Sequence, residues 1–134
     1  YPDASEKLYV DGVAMYRQFI EEAPEGQVRE DKIETLMLIY DRRIENFRGE
    51  GNVLGRKGSD LLKYRNEDNV EVEAAYGILK ESLEIEGSNS RDVVMLNYIS
   101  AGLLLFRADM IDNIQVMEDY FLVSGLLDQQ GGRS

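Results

Sequence analysis

The chain has 134 residues, 43% of them hydrophobic and 31% charged, a size and mix that suit one folded domain rather than a disordered segment. It contains no cysteine and no histidine, which excludes disulfides, thiolate metal sites and catalysis by an imidazole base. The formal charge is −11 and no cluster of Lys and Arg stands out, so nucleic acid is not an expected partner.

Pro2 and Pro24 are the only prolines, and Glu- and Leu-rich stretches without strand-like alternation predict helix almost throughout. The first predicted helix covers about 4–22 and stops at APEGQV, and the second covers about 29–47 and stops at RGEG. A third runs over about 52–65 to NEDN, and a fourth over about 70–86 to GSNS. The fifth, about 90–107, holds the most apolar run of the chain, VVMLNYISAGLLLF. That run is too short to span a bilayer and is interrupted by Asn97 and Ser100. The sixth, about 112–128, starts at Asp112 or Asn113 as N-cap, and residues 131–134 are expected to form a disordered tail. The separators are short polar or glycine-bearing segments of the kind that join antiparallel helices. Charge is uneven along this order: residues 1–65 carry 11 basic and 13 acidic side chains, and residues 66–134 carry 4 and 13.

The even-numbered helices repeat one pattern. Ile33, Met37, Ile39, Tyr40 and Ile44 overlay Val72, Tyr76, Ile78, Leu79 and Leu83, and then Val116, Tyr120, Leu122, Val123 and Leu127. The odd-numbered helices match less fully: Leu8, Gly12 and Met15 overlay Leu54, Gly58 and Leu61, then Leu96, Ser100 and Leu103. Steps of three and four residues keep such side chains on one helical face, and a small residue one turn after a large one lets another backbone come close. One helical hairpin is therefore written three times, over about 4–47, 52–86 and 90–128. A hairpin of this kind buries its apolar face only by stacking on its neighbours, so the expected fold is an α-α solenoid in a single domain, about 1–130.

The stretch AYGILKESLEIEG resembles the second helix of a tetratricopeptide repeat, with Ala75, Leu79, Ser82 and Leu83 at its small–large–small–large positions. LGRKGSDLL resembles a first helix, with Leu54, Gly58 and Leu61 at its packing positions. The longer string IYDRRIENFRGEGNVLGRKGSDLLKYR is similar to tetratricopeptide-like proteins of the Bacteroidetes cell envelope, over most of residues 3–130. Gly87 stands where that family often has proline, and the chain departs from the pattern in three ways: its repeat is longer than about 34 residues, the aromatic at the start of the first helix is Leu, and helices one and two fit poorly.

The resemblance implies a right-handed superhelix of three hairpins acting as a non-enzymatic scaffold, whose first helices line a groove for a peptide or another protein. Carried over, the groove positions are Tyr9, Val13, Tyr16 and Arg17; Asn52, Gly55, Ser59, Leu62 and Lys63; and Asn97, Ala101, Leu104 and Leu105. An asparagine amide at 52 or 97 can both donate to and accept from a peptide backbone, and Arg17 and Lys63 suit a carboxylate. The alternative reading of the same residues makes the leucines inter-repeat core, Asn52 a helix cap and both cations solvated. The resemblance also implies a periplasmic or envelope location.

Three other motifs were weighed for chemistry. GEGNVLGRKGS lacks the spacing of a phosphate-binding loop and follows a helix rather than a strand. DMIDNIQVMED lacks the glycine and terminal glutamate of a calcium loop. Glu81, Glu84 and Glu118 read as a solvated face. No metal, cofactor or enzymatic activity is expected. Helix six leaves little polar surface, which offers a second function: an assembly module in which Met117, Phe121, Leu122 and Leu126 meet another copy or further repeats of a longer protein.

Overall fold

The structure, a computed structural model, describes residues 5–131, and every α-helix found there lies close to where the breakers put it. The elements are α1 (Glu6–Glu22), α2 (Gln27–Asn46), α3 (Glu50–Tyr64), α4 (Asn69–Glu86), α5 (Asp92–Arg107) and α6 (Asn113–Gly131), with a 3-10 turn at Gly87–Asn89. The expected start at residue 4 and the tail beyond Gly131 lie outside the described residues. No helix among the described residues is long and apolar enough to cross a membrane.

Local chemistry accounts for the boundaries. Asp68 caps α4 by accepting from the backbone N–H groups of Val70 and Glu71. Asp112 does the same for α6, accepting from Gln115 N–H at 2.9 Å, so it takes the N-cap role ahead of Asn113. Gly87 ends α4 at φ 54°, a conformation that costs a glycine little and a side chain much.

The helices pack as three hairpins in sequence: α1 on α2, α3 on α4 and α5 on α6. Neighbouring hairpins meet through α2 against α3, α4 against α5, and α3 against α5. Val13, Ile20, Ile33, Leu36 and Tyr40 form an N-terminal core closed by Val53 and Tyr64 of α3. Leu61, Val72, Leu79, Leu83, Met95, Tyr98 and Leu105 form the larger C-terminal core. Helix α3 serves both, and it is bound most closely to α4. A Cβ at Gly51 would stand 2.7 Å from Ile85 Cγ2, and one at Gly58 would stand 2.8 Å from Leu79 Cγ. The small residue expected at 58 thus permits the close approach, whereas at Gly12 a Cβ would meet only Ile39 at 3.7 Å. Each wholly buried leucine at this contact contributes about 2 kcal/mol.

The predicted repeat register holds for α2 and α4, where Ile33, Tyr40, Val72, Leu79 and Leu83 are buried. In α6 it holds at Leu122 and Val123, which pack against the core, and fails at Tyr120 and Leu127. Asp119 and Leu126 are buried, while Tyr120 and Leu127 are 52% and 47% exposed. The odd-helix register holds only in α3: Leu8 and Met15 of α1 and Leu96 of α5 face outward. In α1 the inward positions are Val13 and Ile20, and in α5 they include Val94, Tyr98, Ala101 and Leu105. Buried Asp119 on α6, and the bond of Arg17 on α1 to buried Asp60, go with these inward faces.

Candidate functional site

Helices α1, α3 and α5 border one depression of about 520 Å³. Arg17 reaches it from α1; Arg56, Ser59 and Lys63 from α3; and Asn97 from α5, with Arg91 at the start of α5. Leu62, nearly buried, and Leu104 supply apolar floor. Beyond Arg17 and Arg56 the depression continues into a smaller hollow edged by Val13 and Arg43. Six of the expected groove residues, Arg17, Ser59, Leu62, Lys63, Asn97 and Leu104, are therefore brought together.

The remaining positions have other surroundings. Gly55 is packed so tightly that a Cβ would lie 2.8 Å from Val94 Cγ2 and 2.9 Å from Ser82 Oγ. Ala101 and Leu105 are buried in the C-terminal core, because α5 turns that face toward α4 and α6. Tyr9 sets its ring edge-on to Phe47, and Tyr16 does the same with Phe19. Asn52 is exposed and accepts from Arg56 Nε at 2.9 Å. None of these residues lines the depression, and among them Asn52 bonds one of its cations.

The cations differ in how they are balanced. Arg17 Nε donates to Asp60 Oδ2 at 2.8 Å, and its Nη2 donates to Tyr40 Oη at 2.9 Å. Burial is the largest single influence on the Arg17 pKa and lowers it, but the bond to Asp60, the attraction of that carboxylate and the contact with Tyr40 together outweigh it and the value rises. Lys63 donates to Glu21 Oε1 at 3.0 Å, and this bond raises its pKa. Arg43 pairs with Glu6 at 3.2 Å. Among the described residues, Arg56 and Arg91 have no carboxylate at ion-pair distance. Burial first, then repulsion from Arg91 and Arg43, depresses the Arg56 pKa. In a chain of net charge −11, this is a local excess of positive charge held on rigid helices. Ser59 Oγ is buried there without a hydrogen-bond partner.

A larger depression of about 700 Å³ lies among α2, α3 and α4, and both of its cations are paired with carboxylates. Lys57 pairs with Asp41 at 2.7 Å, and Arg65 pairs with Glu30 and Glu71 at 3.1 and 3.3 Å. No group of three or more metal-ligating side chains occurs among the described residues.

The residues that sequence reasoning missed are Arg56 and Arg91. Arg56 sits in GEGNVLGRKGS, which was weighed only as a phosphate loop, and Arg91 precedes a helix whose signal is apolar. Their value comes from lacking acidic neighbours in space, which linear order does not reveal. On the face expected to assemble, Met117 and Phe121 are exposed, whereas Leu122 packs against the core and Leu126 is buried. No known protein family, curated protein or solved structure matches the chain.

Proposed function

We propose that the chain is a non-enzymatic scaffold that binds an acidic peptide segment in the depression bordered by α1, α3 and α5, its hairpins continuing the sense of a right-handed tetratricopeptide-like superhelix. The observation that carries this reading is the gathering of Arg17, Arg56, Lys63 and Arg91 in one depression of an acidic molecule. Two of these four lack a carboxylate partner among the described residues, so an incoming carboxylate would relieve their mutual repulsion. Asn97 and the unpartnered Ser59 hydroxyl supply the neutral hydrogen bonds that an extended backbone needs. Arg17 is the less available cation, since any ligand competes with Asp60 for it. The groove is built from helices, so the ordering cost falls on the incoming segment alone. The resemblance in sequence adds a bacterial cell-envelope location to the proposal.

Titration of a fluorescein-labelled, Asp- and Glu-rich decapeptide against the chain, followed by anisotropy, tests it. Replacing both Arg56 and Arg91 with alanine should weaken binding about tenfold or more, the equivalent of losing two charge-assisted hydrogen bonds. Affinity should also fall as salt rises toward physiological strength. Binding that survives the double substitution unchanged would refute the assignment of this depression.

A further inference from the structure

On a neighbouring face of α5 a second furrow runs between α5 and α6, about 550 Å³ in volume and of contrasting chemistry. Its walls are Met95, Leu96 and Ile99 on one side and Tyr120, Val123 and Leu127 on the other. Leu96 is 67% exposed, and the apolar surface extends outward along α6 through Met117 and Phe121. This surface exists because α6 is rotated: burying Asp119 and Leu126 turns Tyr120 and Leu127 to the furrow's edge. Each wall spans about two helical turns, roughly 10 Å, the length over which a helix presents anchors at i, i+3 or i+4, and i+7.

The border of the furrow decides what fits it. Asp92 stands in its wall, Asp128 follows Leu127 on the exposed side of α6, and α6 contains no Lys or Arg. Arg91, the cation nearest to Asp92 in sequence, lines the other depression. A second copy laid face to face on this surface would bring carboxylates toward carboxylates with no cation on either α6, an arrangement that costs affinity. We propose that the α5–α6 furrow is a docking site for an amphipathic helix of a partner protein, whose apolar stripe is bordered by Lys and Arg. The molecule then offers two faces of opposite preference, one for an acidic extended segment and one for a basic helix.

The test uses the whole 134-residue chain and a labelled synthetic helix of Leu and Lys with its leucines at i, i+3, i+4 and i+7. Two control peptides accompany it, one with Glu in place of Lys and one with the same composition but a scrambled stripe. The Lys-bordered helix should bind at least tenfold more tightly than either control. Leu96→Glu and Leu127→Glu, both at exposed positions, should each weaken it about tenfold or more. Leu38→Glu, exposed on α2 away from the furrow, should leave it unchanged. Equal binding of the scrambled peptide, or indifference to Leu96→Glu, would overturn the proposal. So would light scattering that shows a dimer which Leu127→Glu dissociates, because the furrow's occupant would then be a second copy. Variants at Arg56 and Arg91 should not affect this peptide, which separates the result from that at the acidic-segment groove.

Discussion

The two ends of the molecule each bury an aspartate, and they satisfy it differently. In the N-terminal half Asp60 of α3 accepts from Tyr40 Oη at 2.5 Å and from Arg17 Nε at 2.8 Å. In the C-terminal half Asp119 of α6 accepts from Tyr98 Oη at 2.5 Å, Tyr76 Oη at 2.7 Å and Gln115 Nε2 at 3.0 Å. The first carboxylate has a cation, and the second has three neutral donors. In the odd-helix overlay that pairs Gly58 with Ser100, the position matching Asp60 is Gly102. A Cβ at Gly102 would lie 3.0 Å from Asp119 Oδ2. Thus the acidic group lost from α5 is supplied across the same gap by α6. The lesson is that a polar requirement at a hairpin junction can be met from either helix, and that meeting it from α6 sets that helix's rotation.

The largest effect should come from removing the aspartates. Asp119→Ala leaves the Tyr98 and Tyr76 hydroxyls without their acceptor inside the core and should cost about 3 kcal/mol in urea unfolding. Asp60→Ala strands the Tyr40 hydroxyl, but the Arg17 side chain is 36% exposed and can turn to water, so about 2 kcal/mol is expected. Equal losses, or the reverse order, would break the contrast between the two clusters.

Alkaline pH should probe the same two clusters more gently. Burial first, and then the bond to Asp119, raises the Tyr98 pKa, and nothing near it pulls the other way. Burial lifts Tyr76 as well, to about 12, although its contact with Tyr98 works against the rise. Tyr40 is raised by burial and Asp60 but pulled down by Arg17. A tyrosine whose folded pKa exceeds the unfolded value of about 10 contributes its full stability below that pH. That contribution is lost as pH climbs from about 10 through the folded value, because the unfolded chain releases the proton first. Stability measured from pH 9 to 12 should therefore fall. Tyr98→Phe and Tyr40→Phe should flatten that fall to a similar degree, since both hydroxyls keep their proton in the fold across this range. Tyr76→Phe should flatten it less near pH 12, and an unchanged fall in Tyr98→Phe would show that its hydroxyl ionises as freely folded as unfolded.

How far the sequence revealed all this follows from what each signal encodes. Breakers and caps act locally, so the six helices and the Asp112 cap were legible. The faces of α2 and α4 were legible too, since both are covered on the apolar side by a following helix. The face of α6 was legible only at Leu122 and Val123, because apolar spacing also favoured Tyr120 and Leu127, and nothing in the sequence marks Asp119 as the acceptor of two tyrosine hydroxyls. For α1, the apolar Leu8 and Met15 were misleading for a related reason. The ion pair of Arg17 with Asp60 and the packing of Val13 and Ile20 fix a different side inward. In the groove, residue types were legible at Arg17, Ser59, Lys63 and Asn97, whereas the unbalanced pair Arg56 and Arg91 became visible only through what does not stand near them.

That pair yields the smallest stability effect and the most direct separation of binding from folding. Arg17 belongs to a satisfied cluster, so Arg17→Ala should destabilise the fold by about 1 kcal/mol, the range for a charge-assisted bond partly open to water. Arg56 is held against other guanidinium groups at the cost of their repulsion, and it gives back a single bond to the exposed Asn52. Arg56→Ala should consequently leave the free energy of urea unfolding unchanged or raise it by a few tenths of a kcal/mol, while weakening binding of the acidic peptide. A cation that strains the free protein yet serves its ligand has this signature. If Arg56→Ala instead unfolds the chain as readily as Arg17→Ala does, Arg56 belongs to the packing of α3, and the two arginines are alike after all.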